Sequence, residues 1–371
     1  MSVRKTNPGN DRLKREYLVY LKDARQRSEA TVEQVRHAID RFEAYNGFKD
    51  FGTFNKEQAL AFKHQLLGAK GPRSRRQLSK ATAHHILRSL REFLIWLHGR
   101  PGYRRRVDPM NVAYLNLTTK EEREAHAAKP KPYATFEQYR TALFAMPSGT
   151  DLERRDRAVM ALLLLTAMRD AAAISLKLKH VDAERGYIFQ DPREVRTKFS
   201  KAIETVFLPV GDDVAEIFRE WVRHLTHDAL FGPDDPVFPK TAIAVNADRV
   251  FGVAGLSHEH WSTAAPVREI FRTAFGRVNL PYVKPHSVRI TLTQLAYQRK
   301  LSPEQLKAWS ENMGHESVLT TLGSYGPISI ERRAEIMAEL ANPVGRDTNS
   351  DLATEVAEKV AAILSSKPEA S

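Results

Sequence analysis

The stretch Pro285–Tyr325, PHSVRITLTQLAYQRKLSPEQLKAWSENMGHESVLTTLGSY, decides how the rest of the chain is read. Val288, Leu292, Leu295 and Ala296 recur at helical spacing, which predicts an amphipathic helix over 287–300. His286 stands at its start and Arg289 one turn on, pointing the same way. Ser302-Pro303-Glu304 has the form of a helix start, with Ser as cap and Pro at the first helical position; that helix runs to about Glu311. Gly314 then ends it and delivers His315, and Tyr325 follows in a Gly-Ser-Tyr-Gly turn. An Arg presents a planar fork that matches two phosphate oxygens. A His donates a hydrogen bond or moves a proton near neutral pH, and a Tyr can attack to form a covalent phosphotyrosine. Together they point to phosphoryl transfer with Tyr as nucleophile. Singly each has a plainer explanation: His-x-x-Arg usually marks a solvated helix face, and a lone His or Tyr is more often structural. The reading therefore requires a second cationic half elsewhere.

That half lies upstream. Ala158–Leu178, AVMALLLLTAMRDAAAISLKL, is too apolar for an exposed helix and reads as a buried one, with Arg169 near its end and a further helix from about Ala171. A buried Arg is costly unless paired, so Arg169 is either salt-bridged or faces an anion pocket. Tyr187–Phe189 and Thr205–Pro209 have strand character and flank a basic turn bearing Arg196, Lys198 and Lys201, as in a hairpin or small three-stranded sheet. A lysine there is either a general acid or a solvated turn charge.

The ordered boxes Leu164-Leu165-Thr166-Ala167-Met168-Arg169, the Lys198 hairpin, His286-x-x-Arg289, Gly314-His315 and Tyr325 resemble the active-site motifs of the tyrosine recombinase (phage integrase) family, over roughly Phe136–Leu340. The resemblance implies a mostly α fold with a small β-sheet: an N-terminal helical core-binding bundle followed by an α+β catalytic domain. It implies a site-specific DNA recombinase that cuts and rejoins DNA through a 3′-phosphotyrosine. In those terms Arg169, Arg289 and His315 hold the scissile phosphate, Lys198 protonates the leaving 5′-oxygen, His286 assists proton transfer and Tyr325 attacks. Lys201, on the same turn, is the alternative lysine. No metal and no nucleotide cofactor is implied. Two duplexes and four cuts imply a homotetramer on double-stranded DNA. Relaxation of the type IB topoisomerase kind uses the same chemistry and is one alternative; a DNA-binding relative without catalysis is the other. Two departures stand out. The family places Glu or Asp three residues after its first Arg, where this chain has Ala172, and Asp170 is the candidate to take over part of that orienting role. The His-x-x-Arg box usually continues with His or Lys, where this chain has Ile290.

Composition agrees with a nucleic-acid partner. The chain has 371 residues, with Lys+Arg 57 against Asp+Glu 45 and a net charge of +12, which suits release of condensed counterions from DNA. Its lack of Cys excludes disulfides, thiolate metal sites and a Cys nucleophile. No window resembles a signal peptide or a membrane span, so the sequence reads as a soluble intracellular chain, cytoplasmic and nucleoid-associated if the resemblance holds.

In chain order, 1–10 reads as a polar, disordered lead, and 11–117 as a helical DNA-binding domain. The basic loop 70–80 contributes Arg73, Arg75, Arg76 and Lys80 as candidate DNA contacts, and the helix after it contributes His84, His85 and Arg88. Arg104, Arg105 and Arg106 stand in the basic run leading into a connector at 118–134. The catalytic domain spans 135–342, opened by the capping box Thr135-x-x-Gln138. Thr241–Leu256 shows no period and reads as an exposed loop. Residues 343–371 form a linker and a C-terminal helix whose Leu352, Val356, Val360 and Ile363 make one apolar stripe. That stripe packs on its own domain or, as the resemblance implies, is exchanged with a neighbouring subunit.

Overall fold

The computed structural model describes residues 6–69, 77–126, 132–197, 200–245, 251–299 and 301–315, with Ala334 and Met337. Arg73, Arg75, Arg76, Lys198, Tyr325 and the 351–364 stretch lie outside the described residues. The chain divides into two units, Met1–Lys129 and Pro130–Ser371.

The first unit is helical: α1 (Pro8–Val19), α2 (Glu29–Tyr45), α3 (Lys56–Gly68), α4 (Lys80–His98), α5 (Pro109–Ala113) and α6 (Thr119–His126). The polar lead is shorter than its composition predicts, because Asn7 caps α1 by accepting from the backbone N–H groups of Gly9 and Asn10. Asn10 is itself buried, donating to Glu43 at 2.9 Å and to the Lys49 carbonyl at 2.9 Å. The core is aromatic, with Phe42, Phe51, Phe62 and Phe93 fully buried. Val107, Val112, Leu115 and Leu117 join the same core, within the bounds read for the helical domain, and α6 forms inside the stretch read as a connector.

The second unit contains α7 (Phe136–Phe144), α8 (Asp151–Thr166), α9 (Asp170–Ala173), β1 (Val181–Asp182), β2 (Tyr187–Gln190), β3 (Ile203–Val206), α10 (Asp212–Arg223), β4 (Pro239–Val245), β5 (Phe251–His260), α11 (Ala265–Arg277), α12 (Val288–Gln298) and α13 (Pro303–Asn312). Thr135 and Gln138 do form the capping box of α7. The centre is α8, buried all round from Ala158 to Thr166, as its uninterrupted apolar run requires. Strands β1, β2 and β3 make an antiparallel sheet in that order, with Ile188 opposite Thr205 and Gln190 opposite Ile203. The sheet is strapped to the helical core where the Leu208 N–H donates to the Leu165 carbonyl at 2.6 Å, satisfying an acceptor that the end of α8 leaves open. Within the stretch read as a loop, residues 241–245 and 251–256 are strand instead, pairing antiparallel as parts of β4 and β5. Register shifts near Thr241 and Ile243 break the alternation, and Ile243, Phe251 and Val253 are exposed, so neither face imposes a period-two pattern on the sequence. No helix among the described residues is long and apolar enough to cross a membrane.

Leu164, 0% exposed in the last turn of α8, tests the core assignment. Leu164→Ala is expected to cost about 2–5 kcal/mol, read as a lower urea midpoint of the purified chain.

Candidate active site

Three helix ends meet to form the site. The first is the end of α8. Its last residue, Thr166, turns its hydroxyl back onto the Leu162 carbonyl at 2.7 Å and accepts from the Met168 N–H at 3.2 Å. Ala167 takes a left-handed conformation, φ 52° and ψ 17°, which a non-glycine residue adopts only where its surroundings hold it. The chain reverses there and presents Arg169, half-buried, at the start of α9. Burial pushes the Arg169 guanidinium below its ordinary pKa.

The second is the start of α12. Pro285–Ser287 form a 3₁₀ turn rather than part of the α-helix, with His286 exposed and Ser287 buried. Ser287 exchanges a hydroxyl contact of 2.7 Å with Tyr139 and donates to the Lys284 carbonyl, fixing the turn from which His286 projects. Arg289, one helical turn on, is only 6% exposed. Its Nη1 donates to the Ala167 carbonyl at 2.5 Å and to the Met313 carbonyl at 2.9 Å. Its Nη2 is buried without a hydrogen-bond partner among the described residues. Burial, and then the charge of Arg169, push Arg289 down to about 10.

The third is the end of α13, where Ser302 and Gln305 form a capping box at the start and Gly314 the stop at the end. Gly314 has φ +70°, its N–H reaches the Glu311 carbonyl at 2.7 Å, and the His315 N–H reaches Ser310 at 3.1 Å. This pair of bonds is the Schellman closure. A Cβ on Gly314 would stand 3.0 Å from Ile203 Cδ1, so the turn packs directly on β3. His315 is half-buried and is pushed down to about 4, by burial first and then by Arg289, Arg169 and His286.

Four of the six residues predicted to act are thus gathered: Arg169, His286, Arg289 and His315. Lys198 and Tyr325 lie outside the described residues, and Lys201 is exposed just before β3. Among the described residues, neither Arg169 nor Arg289 pairs with a carboxylate. Asp170 does not take the orienting role expected of it: its Oδ1 accepts from the Ala171 N–H at 2.9 Å, and among the described residues it makes no ion pair with Arg169. Ala172 is buried, its N–H held by the Arg169 carbonyl. Arg289 reaches across to the Ala167 carbonyl, two residues before Arg169. A half-buried and a buried guanidinium, without a carboxylate among the described residues and one of them with an unsatisfied donor, are groups suited to an anion.

The candidate DNA contacts of the first unit that lie among the described residues have separate partners or are exposed. Lys80 pairs with Glu124, the His84 ring meets His126 at 5.0 Å, His85 contacts Gln34 at 3.2 Å, and Arg88 pairs with Glu92 at 2.9 Å. Arg104 and Arg105 are exposed, while Arg106 pairs with Asp50 at 3.1 Å and stacks on Tyr103.

This geometry agrees with comparison to known proteins. A model of the Phage integrase family matches residues 133–329, more than half of the chain and all four gathered residues. The chain belongs to the phage integrase family. It is a tyrosine-type site-specific DNA recombinase in the sense of that family, and its mostly α fold with a small sheet is the family's. Among solved structures it resembles a lambda integrase (75–356) dimer bound to a COC′ core site, with TM-score 0.56, 16% identity, and coverage of 86% of this chain and 99% of that one. It also resembles the Tn1549 transposon integrase (82–397, Y379F) in complex with transposon right end DNA, with TM-score 0.57, 15% identity, and coverage of 89% and 99%. The XerH site-specific recombinase bound to difH substrate aligns with TM-score 0.54, 16% identity, and coverage of 89% and 84%. No curated protein sequence matches.

One residue beside the integrase site carried no signal in the sequence. Asn312, in the last turn of α13, hydrogen-bonds the backbone of β3; only the folded pairing of a helix end with a strand edge reveals it.

The depressed His315 sets a pH dependence. The fold favours its neutral form, so between about 4 and 6.5 the unfolded chain binds the proton more readily. Stability contributed by neutral His315 is therefore present above that window and is lost as pH falls through it. Urea midpoints measured from pH 7 to pH 4.5 are expected to fall, and to fall less steeply in His315→Asn.

Proposed function

We propose that this chain binds double-stranded DNA and exchanges strands at a specific site through a 3′-phosphotyrosine. The observation that carries the proposal is the pair of half-buried Arg169 and buried Arg289, which among the described residues meet no carboxylate, with Arg289 Nη2 lacking a hydrogen-bond partner among those residues. A DNA phosphodiester supplies both the missing acceptor and the missing negative charge. Donors arranged in advance around a site that excludes water act most strongly on the extra charge of the pentacovalent transition state. Neutral His315 adds a further donor to that phosphate, and exposed His286 stands at the rim where a proton must pass.

In this reading Tyr325 Oη attacks phosphorus, the P–O5′ bond breaks, and a lysine of the β2–β3 connection, Lys198 or Lys201, gives its proton to the departing 5′-oxygen. The phenol's ordinary pKa is about 10, and the two guanidinium charges favour the phenolate that attacks. A 5′-hydroxyl from the partner duplex then attacks the phosphotyrosine, the P–Oη bond breaks, and the phenol is regenerated. The phosphodiester energy is kept in the covalent intermediate, so no nucleotide is consumed. Two duplexes cut on both strands need four such centres, which supports a homotetramer on DNA. The 351–364 stretch, with Leu352, Val356, Val360 and Ile363 on one stripe of the sequence, is the candidate for exchange between its subunits. The net charge of +12 supports salt-sensitive DNA binding.

The decisive experiment incubates the chain with nicked duplexes cloned from beside its gene and resolves the products on denaturing gels. A covalent protein–DNA band that survives EDTA and disappears in Tyr325→Phe is the expected outcome; salt-sensitive binding with no covalent band at any site would instead leave a DNA-binding relative without catalysis. Arg289→Lys keeps the charge but loses the fork, and cleavage is expected to fall about 10²–10³-fold while DNA affinity changes only a few-fold.

A further inference from the structure

Strand β3 lies at the edge of its sheet, in the order β1-β2-β3, and an edge strand presents backbone groups with no strand beside them. At Val206 those groups are taken by a side chain. Asn312 Oδ1 accepts from the Val206 N–H at 2.7 Å, and Asn312 Nδ2 donates to the Val206 carbonyl at 2.8 Å. The amide thus pairs with β3 as a neighbouring strand would. A third bond runs beside it: the buried Thr205 hydroxyl donates to the Asn312 carbonyl at 3.3 Å, and accepts from Gln190 Nε2 on β2 at 3.3 Å. Ile203, at the other end of β3, packs against Gly314. The whole length of β3 is therefore fastened to the turn that ends in His315.

The placement of Asn is informative. It lies inside the last turn of α13, before the Met313 cap and the left-handed Gly314, so it is not the residue that ends the helix. Asn is a poor helix former, and its side chain is directed out of the helix to the strand. Met313, next in sequence, gives its carbonyl to Arg289 Nη1. One short segment thus touches β3 on one side and the phosphate-facing Arg on the other.

We infer that Asn312 is a positioning residue: it holds the lysine-bearing β2–β3 hairpin in register with the His315 turn, so that the lysine meets the leaving 5′-oxygen. The inference rests on the proposed role of that hairpin as source of the general acid. It gives Asn312 no contact with the DNA. Its effect is on proton donation to O5′, not on phosphate binding or on attack by Tyr325.

The test uses the full chain and the cleavage position mapped by the covalent-adduct assay, with either oxygen or sulfur as the scissile 5′ atom. A thiol has a pKa near 8.5, far below that of an alcohol, and leaves as thiolate without needing a proton. Asn312→Ala is expected to cleave the oxygen substrate about tenfold or more slowly, since small displacements of a reacting group cost this much. It should cleave the sulfur substrate within about threefold of the unchanged chain, with DNA affinity preserved. Val206→Pro removes the N–H that Asn312 accepts, at a strand edge where Pro is tolerated. It should reproduce the defect, and the double variant should be no worse than either single one. Lys198→Ala and Lys201→Ala run alongside. If one lysine variant is rescued by sulfur and Asn312→Ala is equally slow on both substrates, or is not slow on either, the inference is overturned while the acid assignment stands. If neither lysine variant is rescued, the acid assignment falls and the inference falls with it.

Discussion

The Arg289 guanidinium is the constraint on which the site depends. Its Nη1 is shared between the carbonyls of Ala167 and Met313, one at the end of α8 and the other at the end of α13. Helix C-termini carry partial negative charge and open acceptors, so these two ends supply the polar surroundings that let a cation be buried without a carboxylate. Among the described residues, Nη2 has no acceptor. A buried charge held this way costs stability. In the proposed reading a phosphate supplies the acceptor and relieves that cost.

The same construction appears twice around that Arg. Ala167 and Gly314 each leave a helix through a left-handed residue, and each is followed closely by a side chain of the candidate site, Arg169 and His315. A left-handed stop reverses the chain within a residue or two, which keeps the following side chain close to the helix end and limits its freedom. The two stops differ in what enforces them. Gly314 adopts its φ without strain and leaves room for Ile203. Ala167 does not, and is held by the Leu163 carbonyl on its N–H and by Arg289 on its own carbonyl. Two Arg, a neutral His315 and the rim His286 then share a region without a compensating acid among the described residues, and burial first, then repulsion from neighbouring cations, lowers the affinity of His315 and Arg289 for protons.

Much of this was legible in the residues because its signals are local. His286 and Arg289 share one turn, Ser302-Pro303-x-Gln305 starts a helix, Gly314 stops it, and the apolar run around Leu162 marks α8 as buried. The β4–β5 hairpin was not legible, because its exposed apolar residues and register shifts leave no period. Nor was α6, whose residues are all at least partly exposed and so carry no apolar stripe. Asp170 illustrates a different limit. Sequence adjacency to Arg169 made it a candidate partner, yet as the first residue of α9 its carboxylate is turned to the N–H of Ala171.

By itself, then, the sequence determined the order of the chemical groups, the helices that carry them and the residues at which those helices stop, since propensity, capping and period act over a few neighbouring positions. The tertiary structure decided which of those groups stand together and in what charge state. It brought the carbonyls of residues 167 and 313 onto the Arg289 guanidinium, left that cation without an acid among the described residues, set Asn312 against the edge of β3, and drove the proton from His315 through burial among cations. Each of these depends on burial and on contacts between segments far apart in the chain, quantities that no local run of residues encodes.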